Sequence, residues 1–169
     1  MSEESGKNRK KTGINKLIFF YSIFAIAFLI DRITKAIVAL NIPENFSVKV
    51  FQFLYINNIK NSGICFGFLE NPSYLPFIIT LSVVALLAIL FYVHNKKFEL
   101  PVFSHVCFGL ICGGILGNLY DRILYRGVID FIDFLVWPVF NLADTFIVCG
   151  IACLLLFYSR SRKRASSMS

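Results

Sequence analysis

Apolar residues occur along this chain in four long runs that are separated by polar or charged segments. The runs cover about residues 17–40, 74–93, 100–120 and 141–158. A helix needs roughly 20 apolar residues to cross a hydrocarbon core about 30 Å thick, so each run is long enough to cross it. The pattern therefore predicts four transmembrane helices in a single integral-membrane domain that covers residues 1–169.

A different pattern follows the first run. Residues 46–56 are rich in β-branched and aromatic side chains, with partial alternation of apolar and polar positions. This pattern is typical of strands. We therefore expect a mostly α-helical membrane protein with a small β element, which lies at the membrane surface between the first two helices.

The composition agrees with a membrane protein. Hydrophobic residues make up 57% of the chain and charged residues 16%, with a mean hydropathy of +0.70. A soluble domain carries about a quarter charged residues, and disorder requires low hydrophobicity, so both classes are excluded. The first run lacks a small-residue cleavage motif and is longer than the apolar part of a signal peptide, so we expect it to be retained.

The net charge of +7 is concentrated at the two ends of the chain. Basic residues fill the segments 1–16 and 159–169 and the short linker 94–97, whereas few occur in the segments 41–73 and 121–140. The positive-inside rule then predicts that both termini are cytoplasmic and that the latter two segments face the outer side. Because no soluble face alternates basic and aromatic residues, we expect no nucleic-acid partner.

The residues for metal or nucleophilic chemistry are poorly arranged. The chain has five cysteines but no CxxC or HExxH motif, and its two histidines, His94 and His105, lie towards the cytoplasmic side. Free cysteine is commonly a small buried hydrophobe. No GxSxG motif is present either. We predict no metal and no cofactor.

Polar residues inside or beside the apolar runs are the candidates for function, because burying a charge in a membrane is costly. They gather near one membrane face, at the ends of three runs and in the apolar stretch 128–134. The residues concerned are Asp31, Lys35, Asn118, Asp121, Arg122, Asp130, Asp133, Asn141 and Asp144.

Each group also has a purely structural interpretation. Asp31 and Lys35 are spaced to form an intrahelical ion pair. Asn141 and Asp144 have the spacing of a helix N-cap and its partner three residues later. Asp121, with the arginine that follows it, could anchor a helix end at the interface, and we favour that interpretation slightly.

Asp130 and Asp144 are expected at the same depth on adjacent elements. Two carboxylates in a low-dielectric site tend to share one proton, so that one activates water while the other polarises a carbonyl. This is the chemistry of aspartyl peptide hydrolysis. Asp133 would lie on another face of an extended strand, and we expect it to be structural.

Five sequence blocks, in order, resemble the bacterial lipoprotein signal peptidase family (signal peptidase II). They are 31–35 (DRITK), 61–67 (NSGICFG), 113–122 (GGILGNLYDR), 128–134 (VIDFIDF) and 140–145 (FNLADT). Ile64 and Cys65 depart from the family pattern, where small residues are common.

The resemblance implies an intramembrane aspartyl endopeptidase of the bacterial inner or plasma membrane. Such enzymes remove the signal peptide of diacylglyceryl-modified prolipoproteins before the lipidated cysteine, at a site near the outer face. Their first outer loop forms a small β-cradle at the membrane surface. Matched by motif position, Asp130 and Asp144 are the catalytic pair. The supporting positions are Asp31, Lys35, Asn61, Gly63, Asn118, Arg122 and Asn141. We expect lipid-modified prolipoproteins and membrane lipids as partners, and a monomer.

Two other functions fit intramembrane acids. A proton-coupled transporter subunit would spread its acids across the membrane and often shows an internal repeat. A non-catalytic membrane scaffold would use the polar residues only to tie helices together, and Asp130→Asn would then be nearly silent.

Overall fold

The computed structural model describes residues 2–63 and 71–166, in which three helices pack against a central fourth and a small sheet lies at one end. In chain order the elements are α1 (Ser2–Asn41), β1 (Ser47–Phe51), β2 (Leu54–Asn61), α2 (Leu75–Asn95), α3 (Val102–Tyr125), β3 (Val128–Asp133) and α4 (Leu142–Ser166). A short 3₁₀ turn, Pro72–Tyr74, precedes α2. Cys65 and its neighbour Ile64 lie outside the described residues.

All four helices are long and apolar enough to cross a membrane. The spans are Thr12–Asn41, Leu75–Asn95, Val102–Tyr125 and Leu142–Ser161. This confirms the predicted helices. The helix α1 begins far upstream of its apolar run, so the basic segment at the N-terminus continues the first helix.

Helix α3 is the centre of the bundle. It is the most buried of the four spans, and α1, α2 and α4 all pack against it. Gly113 allows the close approach of α1, because a Cβ atom there would lie 2.6 Å from the Cβ of Ala27 and 2.8 Å from the carbonyl oxygen of Phe24. Small residues permit such close packing of membrane helices.

The sheet has three antiparallel strands in the order β1-β2-β3. Strands β1 and β2 form a hairpin that begins in the segment predicted as strand, 46–56, which confirms a β element there, and β2 continues beyond that segment to Asn61. The third strand, β3, lies in the stretch 128–134, for which an extended conformation was considered only in placing Asp133 on a different face from Asp130. It pairs with β2 from Tyr55–Asp133 to Asn61–Val128, with an irregularity between Ile56 and Ile59.

The sheet is fixed to the bundle at the C-terminal end of α1. There, Val38 and Ile42 form a buried cluster with Phe131 of β3, and Ile56, Ile132 and Leu142 pack around it. The same end of the bundle carries the C-terminus of α3 and the N-terminus of α4, and we call it the sheet end. The N-terminus of α1 and the C-terminus of α4 lie at the other end.

Candidate active site

A group of buried charges joins α1 to α3 at the sheet end. The ammonium nitrogen of Lys35 lies 2.9 Å from a carboxylate oxygen of Asp31 and 2.9 Å from one of Asp121. Arg32 also pairs with Asp121. Since two basic and two acidic side chains meet here, the group is neutral overall, which compensates part of the cost of burying them.

Asn118 connects this charged group to Asp144. Its Oδ1 accepts a hydrogen bond from Lys35 Nζ at 2.9 Å, and its Nδ2 donates to Asp144 Oδ1 at 2.7 Å. Lys35 therefore reaches Asp144 through one amide, although the two residues lie on different helices.

Asp130 is held by two other amides. Asn61 Nδ2 donates to its Oδ2 at 2.8 Å, and Asn141 Nδ2 donates to its Oδ1 at 2.6 Å. Asn141 Nδ2 also lies 3.2 Å from Asn118 Oδ1, which joins the surroundings of Asp130 and Asp144 into one network.

The orientation of all three amides is fixed by groups that can only donate. The backbone N–H of Gly63 donates to Asn61 Oδ1 at 2.9 Å, and that of Asp144 donates to Asn141 Oδ1 at 3.0 Å. Lys35, which has no acceptor, does the same for Asn118. Each amide nitrogen is consequently directed at a carboxylate of Asp130 or Asp144.

The start of α4 is capped by the same residues. The backbone N–H of Asn141 donates to Asp144 Oδ2 at 3.3 Å, which completes a reciprocal capping box. Asp31 Oδ1 accepts the N–H of Ala143 at 3.0 Å, so α1 also satisfies the first turn of α4. The capping interpretation of Asn141 and Asp144 is therefore correct, and it holds together with their place in the network.

Burial is the main cause that raises the pKa of Asp130 to about 6. The nearby Asp144 carboxylate raises it further, whereas the amide donors of Asn61 and Asn141 lower it. Asp130 lies in β3, outside the membrane-spanning segments. Because its surroundings are of low dielectric, its pKa lies well above the usual range of an aspartic acid.

Asp130 and Asp144 both line a cavity of about 350 Å³ at the sheet end. Its polar part also includes Asn61, Asn118 and Arg122, and its apolar walls come from β3, from α4 and from the connection between them. A second cavity of about 310 Å³ lies beside α2 and shares Asn118, Arg122 and Asp144 with the first. Polar groups thus meet in a mostly apolar cleft, which is typical of ligand sites.

The structure brings all nine predicted site residues into this region. Arg122 lines both cavities, and its Nη2 lies 3.3 Å from the carbonyl oxygen of Gly63. Asp31 and Lys35 do not line either cavity. Lys35 bonds to Asn118, which does, and Asp31 bonds to the backbone of Ala143. In the part of the chain that the structure describes, no three His, Cys, Asp or Glu side chains are grouped so as to hold a metal ion.

One interpretation from the sequence is wrong. Asp121 is not an interfacial anchor, because it is fully buried and paired with Lys35 and Arg32. Asp133 bonds to Asn57 and to the backbone of Leu135, away from the cavity.

Sequence reasoning also missed two residues. Arg32 was not assigned a partner, although a second cation inside an apolar run requires one. Trp137 lines the cavity, and no sequence signal marks it.

Comparison with known proteins gives a consistent result. A family model described as "Signal peptidase (SPase) II" matches residues 23–160. A lipoprotein signal peptidase of Syntrophomonas wolfei is 40% identical over 146 residues, covering 86% of this chain and 95% of the relative. One of Halothermothrix orenii is 35% identical over 144 residues, covering 85% and 97%. A solved bacterial membrane enzyme superposes with a TM-score of 0.78 at 26% identity, covering 86% of this chain and 90% of the other.

Proposed function

Because this chain belongs to the signal peptidase II family, we propose that it is an aspartyl endopeptidase that cleaves lipid-modified prolipoproteins within the membrane. In this proposal Asp130 and Asp144 are the catalytic pair. The cut falls before the diacylglyceryl-modified cysteine, and it leaves that cysteine as the new N-terminus of the mature lipoprotein.

One observation carries the proposal. Two carboxylates from different elements, β3 and α4, line one cavity, and both are bonded to a single network of amides. Burial raises the pKa of Asp130 to about 6, and the neighbouring Asp144 carboxylate contributes to the increase. Paired acids that share a proton at near-neutral pH are the arrangement that aspartyl peptide hydrolysis uses.

The reaction then follows from the two acids. The ionised carboxylate removes a proton from a water molecule as its oxygen attacks the scissile carbonyl carbon, while the protonated acid hydrogen-bonds to the carbonyl oxygen. When the tetrahedral intermediate collapses, the C–N bond breaks and the leaving nitrogen takes up a proton from the pair. The products are a new carboxylate on the signal peptide and a free amine on the cysteine.

The surroundings of the pair suit a lipid-modified peptide. The cavity walls are mostly apolar, whereas its polar residues are confined to the region of the two acids. Arg122 offers a planar group of donors beside the site, which is suited to main-chain carbonyls of the substrate. The diacylglyceryl group can remain in the bilayer while the peptide bond reaches the acids.

The same proposal includes orientation and assembly. The basic segments at both ends of the chain favour a cytoplasmic location for the termini, which would put the sheet end and the site at the outer face of the bacterial inner or plasma membrane. The proposed enzyme is a monomer, because the chemistry assigned to the site needs no residue from a second copy.

The test is cleavage of a purified prolipoprotein in detergent, followed by the shift of the product on a gel. The parent protein should shorten the diacylglyceryl-modified substrate and leave the unmodified one intact. Asp130→Asn and Asp144→Asn each replace a carboxyl group that can hold or release the shared proton with an amide that cannot. Each should reduce turnover by about 10⁴-fold or more, as removal of a central catalytic group does.

Glu99→Gln serves as the matched control, because it also neutralises a carboxylate but at the opposite end of the bundle, in an exposed pair with Lys96. It should cleave like the parent. Each variant is first shown to be folded by its thermal unfolding. If folded Asp130→Asn cleaves as fast as Glu99→Gln, the aspartyl proposal is wrong and the scaffold alternative gains support.

A further inference from the structure

A tight apolar turn follows β3 and leads towards α4. Within it, the backbone N–H of Val136 donates to the carbonyl oxygen of Phe134 at 2.8 Å, and Leu135 has a φ of +65°. This is a γ-turn of the rare, strained hand. A leucine in the left-handed region is unusual, because its Cβ collides with the backbone there.

Asp133 holds this turn in place. Its Oδ1 accepts the N–H of Leu135 at 2.7 Å, and its Oδ2 accepts Nδ2 of Asn57, on β2, at 2.8 Å. The carboxylate thus ties the turn to the sheet. Strained backbone persists where its surroundings over-determine it, and it is concentrated at functional sites.

The turn exposes apolar side chains. Val136 is 92% exposed, and Leu135 and Trp137 are each about 60% exposed. Three consecutive exposed apolar residues on a turn outside the transmembrane helices are an unusual feature, and such patches mark interaction surfaces. We call residues 134–137 the apolar turn.

The apolar turn adjoins the lipid-facing side of α4. Trp137 lines the first cavity together with Val148 and Cys149, which lie in the second turn of that span. Val148 is itself exposed, and Ile151 and Leu155 continue the exposed apolar surface along the same side of α4. In a helix that crosses a membrane, an exposed apolar side faces lipid. The surface of the apolar turn is therefore continuous with a membrane-facing surface.

We propose that the apolar turn inserts Val136 and Trp137 among the bilayer lipids of the leaflet next to the sheet. The residue types fit, because tryptophan is enriched where membrane proteins cross the interface, and the turn carries no charge. The occupant is the bilayer itself, in the absence of any substrate. This inference goes beyond the proposed function and does not depend on catalysis.

Trp137 is the single tryptophan of the chain, so its fluorescence reports the position of the apolar turn directly. The full-length protein is reconstituted, without substrate, in vesicles that contain phospholipids brominated near the top of their acyl chains. Bromine quenches tryptophan on contact, whereas iodide quenches it from water. Trp137 should lose fluorescence in the brominated vesicles and be largely protected from iodide.

Two variants in a Trp137→Phe background calibrate the measurement. Leu155→Trp places the fluorophore on the exposed side of α4 within the span, and Glu99→Trp places it in the exposed linker between α2 and α3. Trp137 should be protected from iodide to the same degree as the tryptophan of the Leu155→Trp variant. Val136→Asp should shift the quenching of Trp137 from bromine towards iodide, because a charge resists insertion.

Three results would overturn the proposal. Quenching of Trp137 by iodide that is as strong as in the Glu99→Trp variant would place the apolar turn in water. Bromine quenching that arises only when lipidated substrate is added would make the substrate the occupant. Protection from both quenchers that is lost on dilution would indicate a second copy of the chain. None of these results bears on whether Asp130 and Asp144 catalyse cleavage.

Discussion

At the scale of single residues, the hydrogen bonds of the site depend on how three asparagine amides are oriented. Asn61, Asn118 and Asn141 each have their oxygen held by a group that can only donate, so each nitrogen is left for a carboxylate. Lys35 is linked to Asp144 by Asn118, which accepts a hydrogen bond from Lys35 and donates one to Asp144. It also neutralises Asp31 and Asp121.

Lys35→Met should destabilise the protein strongly. It leaves two buried carboxylates without their shared cation, and breaking a buried ion pair in this way costs about 3–5 kcal/mol. The free energy of unfolding in detergent measures the loss. Adding Asp31→Asn removes one of the unpaired charges, so the double variant should be more stable than Lys35→Met alone.

Lys96→Met is the control for loss of a lysine that pairs with an acid. Its partner Glu99 is exposed, as is Lys96 itself, so the change should stay within about 0.5 kcal/mol. If the free-energy losses of Lys35→Met and Asp31→Asn simply add in the double variant, the two side chains are not coupled. The neutral group would then not stabilise the protein as a unit.

At the scale of elements, the contact between α1 and α3 decides whether the site can form. The charged group and the support of α4 by Asp31 both require α1 to lie close against α3. Gly113 provides that closeness, two turns below Asp121.

Gly113→Ala should therefore destabilise the fold by about 1–3 kcal/mol, because the new methyl group meets Ala27 and the backbone of Phe24 across a tight contact. Thermal unfolding of the purified protein measures it. Ala88→Val adds a larger volume on an exposed position of α2 and should be nearly neutral. If the two substitutions changed the thermal stability equally, the contact of α1 with α3 at Gly113 would not be tight.

The elements differ in how well the sequence predicts them. The four helices follow from the length of the apolar runs, and the β1–β2 hairpin follows from its β-branched and aromatic residues. Strand β3 has a weaker sequence signal, because VIDFID has no alternation of apolar and polar positions. Its extended form depends on pairing with β2, a contact between distant parts of the chain.

At the scale of the whole molecule, the buried acid of the site makes stability depend on pH. The pKa of Asp130 is about 6 in the folded protein, above its ordinary value of 3.8. Between these values the folded state binds more protons than the unfolded state, so stability falls as pH rises from about 4 to about 6. Over this pH range, Asp130 lowers the free energy of unfolding by about 3 kcal/mol.

Asp130→Asn should lack this dependence. The free energy of unfolding of the parent, minus that of the variant, should fall by about 3 kcal/mol between about pH 4 and about pH 7. A constant offset is expected as well, because an amide at this position presents a donor to Asn61 or Asn141. A difference that does not change with pH would contradict the raised pKa.

The candidate site as a whole was more predictable than its details. Asp130 and Asp144 are conspicuous in sequence because each is an acid among apolar residues. The pair of Arg32 and Asp121 was not predictable in the same way, since it depends on the rotation of α1 relative to α3. Trp137 reaches the cavity only because the connection after β3 folds back beside α4.

The neutral group has a consequence for how the protein is made. Within its apolar run, helix α1 carries Asp31, Arg32 and Lys35, which leaves one positive charge uncompensated. The counter-charge, Asp121, is synthesised only after the hairpin and α2. During translation α1 is therefore too polar at one end to settle alone in the hydrocarbon core. We expect α1 to be retained by the insertion machinery until α3 emerges, so that the two helices enter the bilayer together as a pair.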